Sequence, residues 1–183
     1  MKETEIKSII DNDAYERIKK AFKWDAVTEQ TNHYYTDRNG VLCDKRITVR
    51  IRVIEDNAKI QVKHHKNKDS ALQISEENEY PISDIPDIID SETAEKITGI
   101  NTGELYRMGA ATTLRHTFKR NGSELCLDKT TYFDTVDYEV EVEYEEKMSA
   151  DLLMKLTSLG VVFNKSCVGK FARFLDEYKK NQD

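Results

Sequence analysis

Polar and apolar residues alternate in short runs through most of this 183-residue chain. A period of two marks a strand with one apolar face. "MKETEIKSII" opens the chain in that pattern and predicts a first strand. In "DNDAYERIKKAFKW" the spacing lengthens to that of a helix, with Ala14, Ile18, Ala21 and Phe22 on one side and Asp11 or Asp13 placed to cap it. "QTNHYYTD" reads as a strand and "RNGV" as a turn. "KRITVRIRVIEDNAKIQVKHH" predicts a hairpin, two alternating runs around "EDNA", and "ALQISEENEYPIS" a further strand. "DIPDIIDSETAEKITGI" reads as helical, one helix or two short ones, ending near Gly99. Three strand-like runs follow within residues 111–146, turned at "NGS" and around "FDTVD". "SADLLMKLTSLGV", with Ser149 as its cap, and "VGKFARFLDEYKK" predict two closing helices.

The polar faces of these strands are ionic. Residues 137–145, "DYEVEVEYE", place Asp137, Glu139, Glu141, Glu143 and Glu145 on one side of a strand. Glu3, Glu5 and Lys7 share a face, as do Arg50 and Arg52, Lys59 and Lys63, Glu77 and Glu79, and Arg115 and Lys119. Antiparallel strands often have one wet face. Such a face, however, mixes its polar residues, whereas runs of one sign repel at close range and call for compensation.

A closed antiparallel β-barrel of about eight strands would supply it. Its apolar faces would point outward under packed helices and its ionic faces inward, around room for one small ligand. Arginine and lysine walls suit a polyanion such as a phosphate chain. Carboxylate walls suit Mg²⁺ or Mn²⁺.

Composition narrows the alternatives. Charged residues make up 34% of the chain and the net charge is −6, which argues against a nucleic-acid binder by bulk electrostatics. Cys43, Cys126 and Cys167 are widely spaced and form no CxxC pair, so neither a zinc site nor a disulfide framework is expected. They read as small buried residues. No apolar leader and no membrane-length apolar run occurs, and a cytoplasmic location is the expectation. The length suits one domain, residues 1–183.

The order of the charged motifs resembles the CYTH superfamily, the triphosphate tunnel metalloenzymes, and most nearly its bacterial YjbK-like, adenylate-cyclase-type branch. "ETEIK" is similar to that family's opening E-x-E-x-K. "NHYYTDRNGVL", "VRIR", "IQVK", "EENEY", "LRHTFK", "LCLDK", "YEVEVE" and "NKSCVGKFARF" follow in the family's order over about residues 1–175. The resemblance implies an eight-stranded tunnel that binds a triphosphate and a divalent cation. It implies Lys7, Arg50, Arg52, Lys63 and Arg115 as triphosphate binders, with Lys170 or Lys165 as a lysine at the tunnel mouth. It implies Glu3, Glu5, Glu77, Glu79, Asp128, Glu139, Glu141 and Glu143 as metal ligands or their supports, and Glu3, Glu5 and Lys63 in catalysis. Which of Glu77 and Glu79 points inward is open. Cys126 stands where some members carry a further acid.

Lys119, Lys129 and Arg173 read as surface or salt-bridge residues, Tyr34, Tyr35 and Trp24 as packing residues, and Asp137 and Glu145 as strand ends in water. No pair of histidines has convincing ligand spacing. The leading expectation is a metal-dependent triphosphatase acting on inorganic triphosphate, with ATP and thiamine triphosphate as the other substrates considered. A class IV adenylyl cyclase and a polyphosphate- or nucleotide-binding module are the alternatives. A monomer or homodimer is expected, without nucleic-acid or membrane partners.

Overall fold

A computed structural model describes residues 2–66, 72–163 and 167–182, with Lys2 and Glu3 placed by backbone alone. The described residues form nine strands and five helices. In order they are β1 Lys2–Ile10, α1 Asn12–Ala21, β2 Ala26–Asp37, α2 Val41–Lys45, β3 Ile47–Ile54, β4 Asn57–His65 and β5 Leu72–Pro81. Then come β6 Ile88–Ile89, α3 Ser91–Thr98, β7 Leu105–Arg120, β8 Ser123–Tyr132, β9 Thr135–Tyr144, α4 Ala150–Ser158 and α5 Lys170–Lys180. Hydrogen bonding runs β2-β3-β4-β5-β1-β9-β8-β7 and returns from β7 to β2, while β6 pairs only with the start of β7. Every pairing is antiparallel. The sheet therefore closes into an eight-stranded barrel and leaves no long edge.

Closure follows from the alternation. The even-numbered apolar residues of β9, with Ile6, Leu125 and Leu127, face outward and meet Tyr15 and Ile18 of α1 and Leu152 and Leu156 of α4. Val49, Ile51, Ile60 and Val62 meet Ala94 and Ile97 of α3. These two apolar cores thus lie outside the sheet, whereas a third, of Tyr34, Ala111 and Tyr132 against Phe174 of α5, lies on its inner face. Each buried aliphatic side chain there contributes about 1.5–3 kcal/mol. No helix among the described residues is long and apolar enough to cross a membrane.

Local chemistry fixes the ends. Asp11 caps α1, accepting from the Ala14 N–H at 2.7 Å, and Lys19 and Lys20 lie at the negative end of its dipole. Ser149 caps α4. Asn121 and Gly122, both at positive φ, make the two-residue turn between β7 and β8.

Several expectations are corrected. The stretch at 84–100 is not helical throughout: Ile88–Ile89 pair with β7, and the helix starts only at Ser91, capped by Asp90. The turn at "RNGV" continues into α2, because the buried Asp37 carboxylate accepts from the N–H groups of Asn39, Val41 and Leu42 at 2.8–3.0 Å. Trp24 lies beyond α1, partly buried, with its indole N–H donated to the Lys19 carbonyl at 2.9 Å. Cys43, on the short α2, is exposed, unlike Cys126 and Cys167.

Candidate active site

The ionic faces all turn into the barrel. Pairing sets Arg50 opposite Gln61, Gln61 opposite Glu79, and Lys63 opposite both Thr48 and Glu77. It sets Lys7 opposite Glu141, Arg115 opposite Asp128, and Asp128 opposite Glu139. Residues directly opposite on antiparallel strands share a face. The result is a cavity of about 590 Å³ whose walls carry Glu5, Lys7, Arg50, Arg52, Lys63, Glu77, Arg115 and Glu141 among others. Its size lies within the range of small-molecule sites.

One wall is basic. Arg50 donates from Nε to the Gln61 amide oxygen at 2.8 Å and from Nη2 to Glu77 at 3.4 Å. Arg52 donates from Nε to Asn32 Oδ1 at 3.0 Å and, among the described residues, makes no ion pair. Burial, followed by the nearby guanidinium groups of Arg50 and Arg115, pushes its pKa down to about 9. It still carries its charge at neutral pH, favoured by Glu77 but in no ion pair among the described residues. Lys63 stands 3.6 Å from Glu5. His65 faces the same space. It lies 3.2 Å from the Thr48 hydroxyl, and burial together with Lys63 and Lys7 pushes it down to about 4, so its ring is neutral at pH 7.

The opposite wall is acidic and already threaded by cations. Asp128, Glu139 and Glu141 are buried. Arg115 grips Asp128 with two bonds, at 2.8 and 2.7 Å, and reaches Glu141 at 2.5 Å. Lys7 bridges Glu5 at 2.9 Å and Glu141 at 3.1 Å. Lys170, the first residue of α5, reaches Asp128, Glu139 and Glu141 together. Burial alone would raise the Glu141 carboxyl. Lys170, Lys7 and Arg115 outweigh it and hold the group well below the ordinary range. Glu139 is raised instead, by burial and the neighbouring Glu141, with Lys170 offsetting only part. Burial would lower the Lys170 ammonium, but the three carboxylates hold it above its ordinary value.

Most of the expected site residues meet here. Glu77 is buried on Arg50, whereas Glu79 lies toward the rim, its side chain 43% exposed and bonded to Lys59 and Gln61. Glu143 lies 3.9 Å from Arg115. Glu3 falls opposite Ser75 by register, its side chain outside the described residues, as is Lys165. Cys126 faces the Asp128–Glu141 wall fully buried, and burial keeps its thiol protonated despite Arg115. Asp137 is not in water: it accepts from Tyr132 at 2.5 Å and from Arg173 at 2.6 Å. Arg173 is a salt-bridge residue, as expected, yet it lies inside, on Asp137 and Glu139. Sequence reasoning gave Arg173 no site role; its position one helical turn after Lys170 was the available signal. Asn32, which orients Arg52, and His65 also had no assigned part.

Two carboxylate groups could hold a cation, Glu5–Glu141–Glu143 and Asp128–Glu139–Glu141, each with one oxygen per residue within 4.8 Å of the others. Buried Glu5 Oε1 stands 2.9 Å from Lys7 Nζ and 3.6 Å from Lys63 Nζ. Carboxylate oxygens gathered this closely are the donor set of a hard divalent ion.

The CYTH domain matches residues 1–166. The chain belongs to the CYTH domain family. No curated protein matches it in sequence. Among solved structures, this CYTH domain is similar to a candidate adenylyl cyclase from Hippeastrum whose dominant activity is that of a triphosphatase, at 21% identity, TM-score 0.76 and 96% coverage of both chains. It is similar to a candidate adenylate cyclase from Bacillus halodurans at 20% identity and TM-score 0.70, covering 94% of this chain and 98% of that one. It is also similar to the PH1819 protein of Pyrococcus horikoshii at 15% identity and TM-score 0.62, covering 96% and 99%. At such identities the likeness establishes the shared fold.

Proposed function

We propose that this CYTH domain is a divalent-metal-dependent triphosphatase and that inorganic triphosphate is its substrate. The observation that carries the proposal is Arg52, a half-buried guanidinium beside Arg50 and Arg115 that makes no ion pair among the described residues. A cluster of that kind is stable only if an anion completes it. Arg52, Arg50 and Lys63 would hold phosphate oxygens, Arg through paired N–H donors. Lys7 and Arg115 are both held by the acidic side, so they would fix the reacting phosphorus against it. A bound Mg²⁺ or Mn²⁺ on Glu5, Glu141 and Glu143 would neutralise charge on the phosphate chain. Glu5, held beside Lys7 and Lys63, would orient water for in-line attack, with Glu3 on the same strand as its candidate companion. Glu77 and Glu79 would hold the basic wall in place through Arg50, Gln61 and Lys59. Barrier lowering would come chiefly from positioning and preorganised charge.

One observation favours a second reading. The cavity also borders Ile47, Phe171, Ala172 and Leu175, an apolar stretch that could receive a nucleobase. A class IV adenylyl cyclase would use the same phosphate site and let the ribose 3′-hydroxyl attack the α-phosphorus. Incubation with inorganic triphosphate, ATP and thiamine triphosphate under Mg²⁺, Mn²⁺ or Co²⁺ separates the readings. Orthophosphate release, highest from inorganic triphosphate, is expected. Cyclic AMP with pyrophosphate would establish the cyclase, and tight binding without turnover would leave a binding module.

A further inference from the structure

Both carboxylate groups are filled by cations of the chain itself. Glu141, which they share, has Lys7 Nζ at 3.1 Å and Lys170 Nζ at 2.9 Å on Oε1, and its Oε2 accepts from Arg115 at 2.5 Å. Glu5 Oε1 stands 2.9 Å from Lys7 Nζ and 3.6 Å from Lys63 Nζ. The two ammonium groups on Glu141 are held differently. Lys170 also meets Asp128 and Glu139, and its helix is anchored by Phe174, fully buried one turn on. Lys7 meets two carboxylates, and one of these, Glu5, also faces Lys63 of the basic wall. Lys7 therefore stands at the seam of the two walls, and an anion gripped by Lys63 would lie beside its ammonium.

We infer that Lys7 couples the divalent ion to the triphosphate: in the free chain its ammonium holds the cation position between Glu5 and Glu141, and a bound triphosphate draws it onto a phosphate oxygen and opens that position to the ion. The inference rests on the metal-dependent triphosphatase reading above. A divalent ion needs several oxygens with open lone pairs, and Glu141 Oε1 already serves two ammonium groups. An ion entering alone would have to push Lys7 off both carboxylates and strand its charge in the barrel, where the side chain is 6% exposed. The triphosphate removes that cost, because it offers Lys7 a new anionic acceptor next to those it leaves. Lys170 stays on Asp128 and Glu139 and keeps Glu141 in place. Ion and anion then bind together, each strengthening the other by the same factor, and the chain without phosphate holds the ion weakly.

The test titrates Mn²⁺ by electron paramagnetic resonance, without phosphate, into the wild type, Lys7→Met, Lys7→Arg and Lys63→Met. Lys7→Met should bind the ion at least about tenfold more tightly than the wild type, because no ammonium competes for Glu5 and Glu141. Lys7→Arg, which keeps the charge, should bind as weakly as the wild type. Lys63→Met removes a charge from the same cavity but leaves Lys7 in place, and should tighten binding far less. A second titration adds the bis-methylene analogue of triphosphate, which resists hydrolysis, with the analogue alone as the control for its own chelation. The wild type should then take up Mn²⁺ at concentrations where it holds none by itself. Equal affinities in the wild type and Lys7→Met, or equal tightening in Lys7→Met and Lys63→Met, would overturn the inference. If the wild type still takes up Mn²⁺ with the analogue, the metal-dependent reading survives that failure; no Mn²⁺ on the protein in any titration would remove the reading as well. If Lys7→Met does not fold, Lys7→Gln, which keeps a donor but not the charge, gives the same comparison.

Discussion

At the scale of single residues, the barrel interior separates charges that are already neutralised from one that is not. Arg115 and Lys170 are saturated by carboxylates, whereas Arg52 rests on an amide oxygen. Arg52→Ala should therefore weaken triphosphate binding by about 1.5–3 kcal/mol, roughly tenfold to a hundredfold. Lys119→Ala should change it little, because Lys119 lies 70% exposed at the rim on Glu124, an exposed pair worth about 0–1 kcal/mol. Titration calorimetry compares the two, and equal small losses would take Arg52 out of the site. His65 makes a separate prediction. Its pKa is about 4 in the fold against an ordinary 6.5, so between these values the unfolded chain binds the proton and the folded one does not. Stability must then fall as pH drops from about 6.5 towards 4. Melting temperatures of His65→Gln across that window should fall less steeply than those of the wild type; parallel profiles would show that His65 takes up its proton without cost. Alternation placed Glu5, Lys7, Arg50, Lys63, Glu139 and Glu141 inside from sequence alone, because period two needs no tertiary knowledge. Which cation each carboxylate meets was not legible, since Lys170–Glu139 and Arg173–Asp137 join a terminal helix to a strand more than thirty residues away.

At the scale of elements, the legible parts were those whose spacing and caps agree, such as α1 behind Asp11 and the hairpin of β3 and β4. The illegible ones depend on distant partners. The helix α2 has five residues, an N-cap Gly40 at φ +73° and no cap of its own; it exists because Asp37 reaches its N-terminus. The start of β7 was hidden by Gly109, at φ +152°, opposite an irregularity in β2 between Tyr34 and Tyr35. That glycine admits α5. A Cβ there would stand 3.3 Å from Phe174 Cζ, in a backbone conformation that L side chains rarely adopt. Gly109→Ala should cost about 1–3 kcal/mol from strain and crowding, and Phe174→Ala about 3–5 kcal/mol from the cavity it leaves. The crowding disappears once the ring is gone, so the double variant should lose less than the sum. Urea unfolding of the four proteins measures this coupling, and strictly additive losses would mean that Gly109 does not serve the docking of α5.

At the scale of the whole molecule, closure makes the binding site and the folding unit the same object. The basic wall comes from β3 and β4, the acidic wall from β8 and β9, and β1 reaches both, through Glu5 to Lys63 and Lys7 to Glu141. A polyanion held between the walls would bind only the closed ring, since unfolding scatters Arg50, Arg52, Lys63 and Arg115 along the chain. Ligand present at about a hundred times its dissociation constant adds about 2.7 kcal/mol to stability. For a chain of this length that is a rise of about 5–10 °C in melting temperature. Scanning calorimetry with inorganic triphosphate should show this rise in the wild type and a much smaller one in Arg52→Ala at the same concentration. Hydrogen exchange should slow together in β3, β4, β7 and β9, because the anion would tie walls that are distant in sequence. A rise of equal size in both proteins, or protection confined to one edge, would place the anion outside the barrel and leave Arg52 without the partner its burial demands.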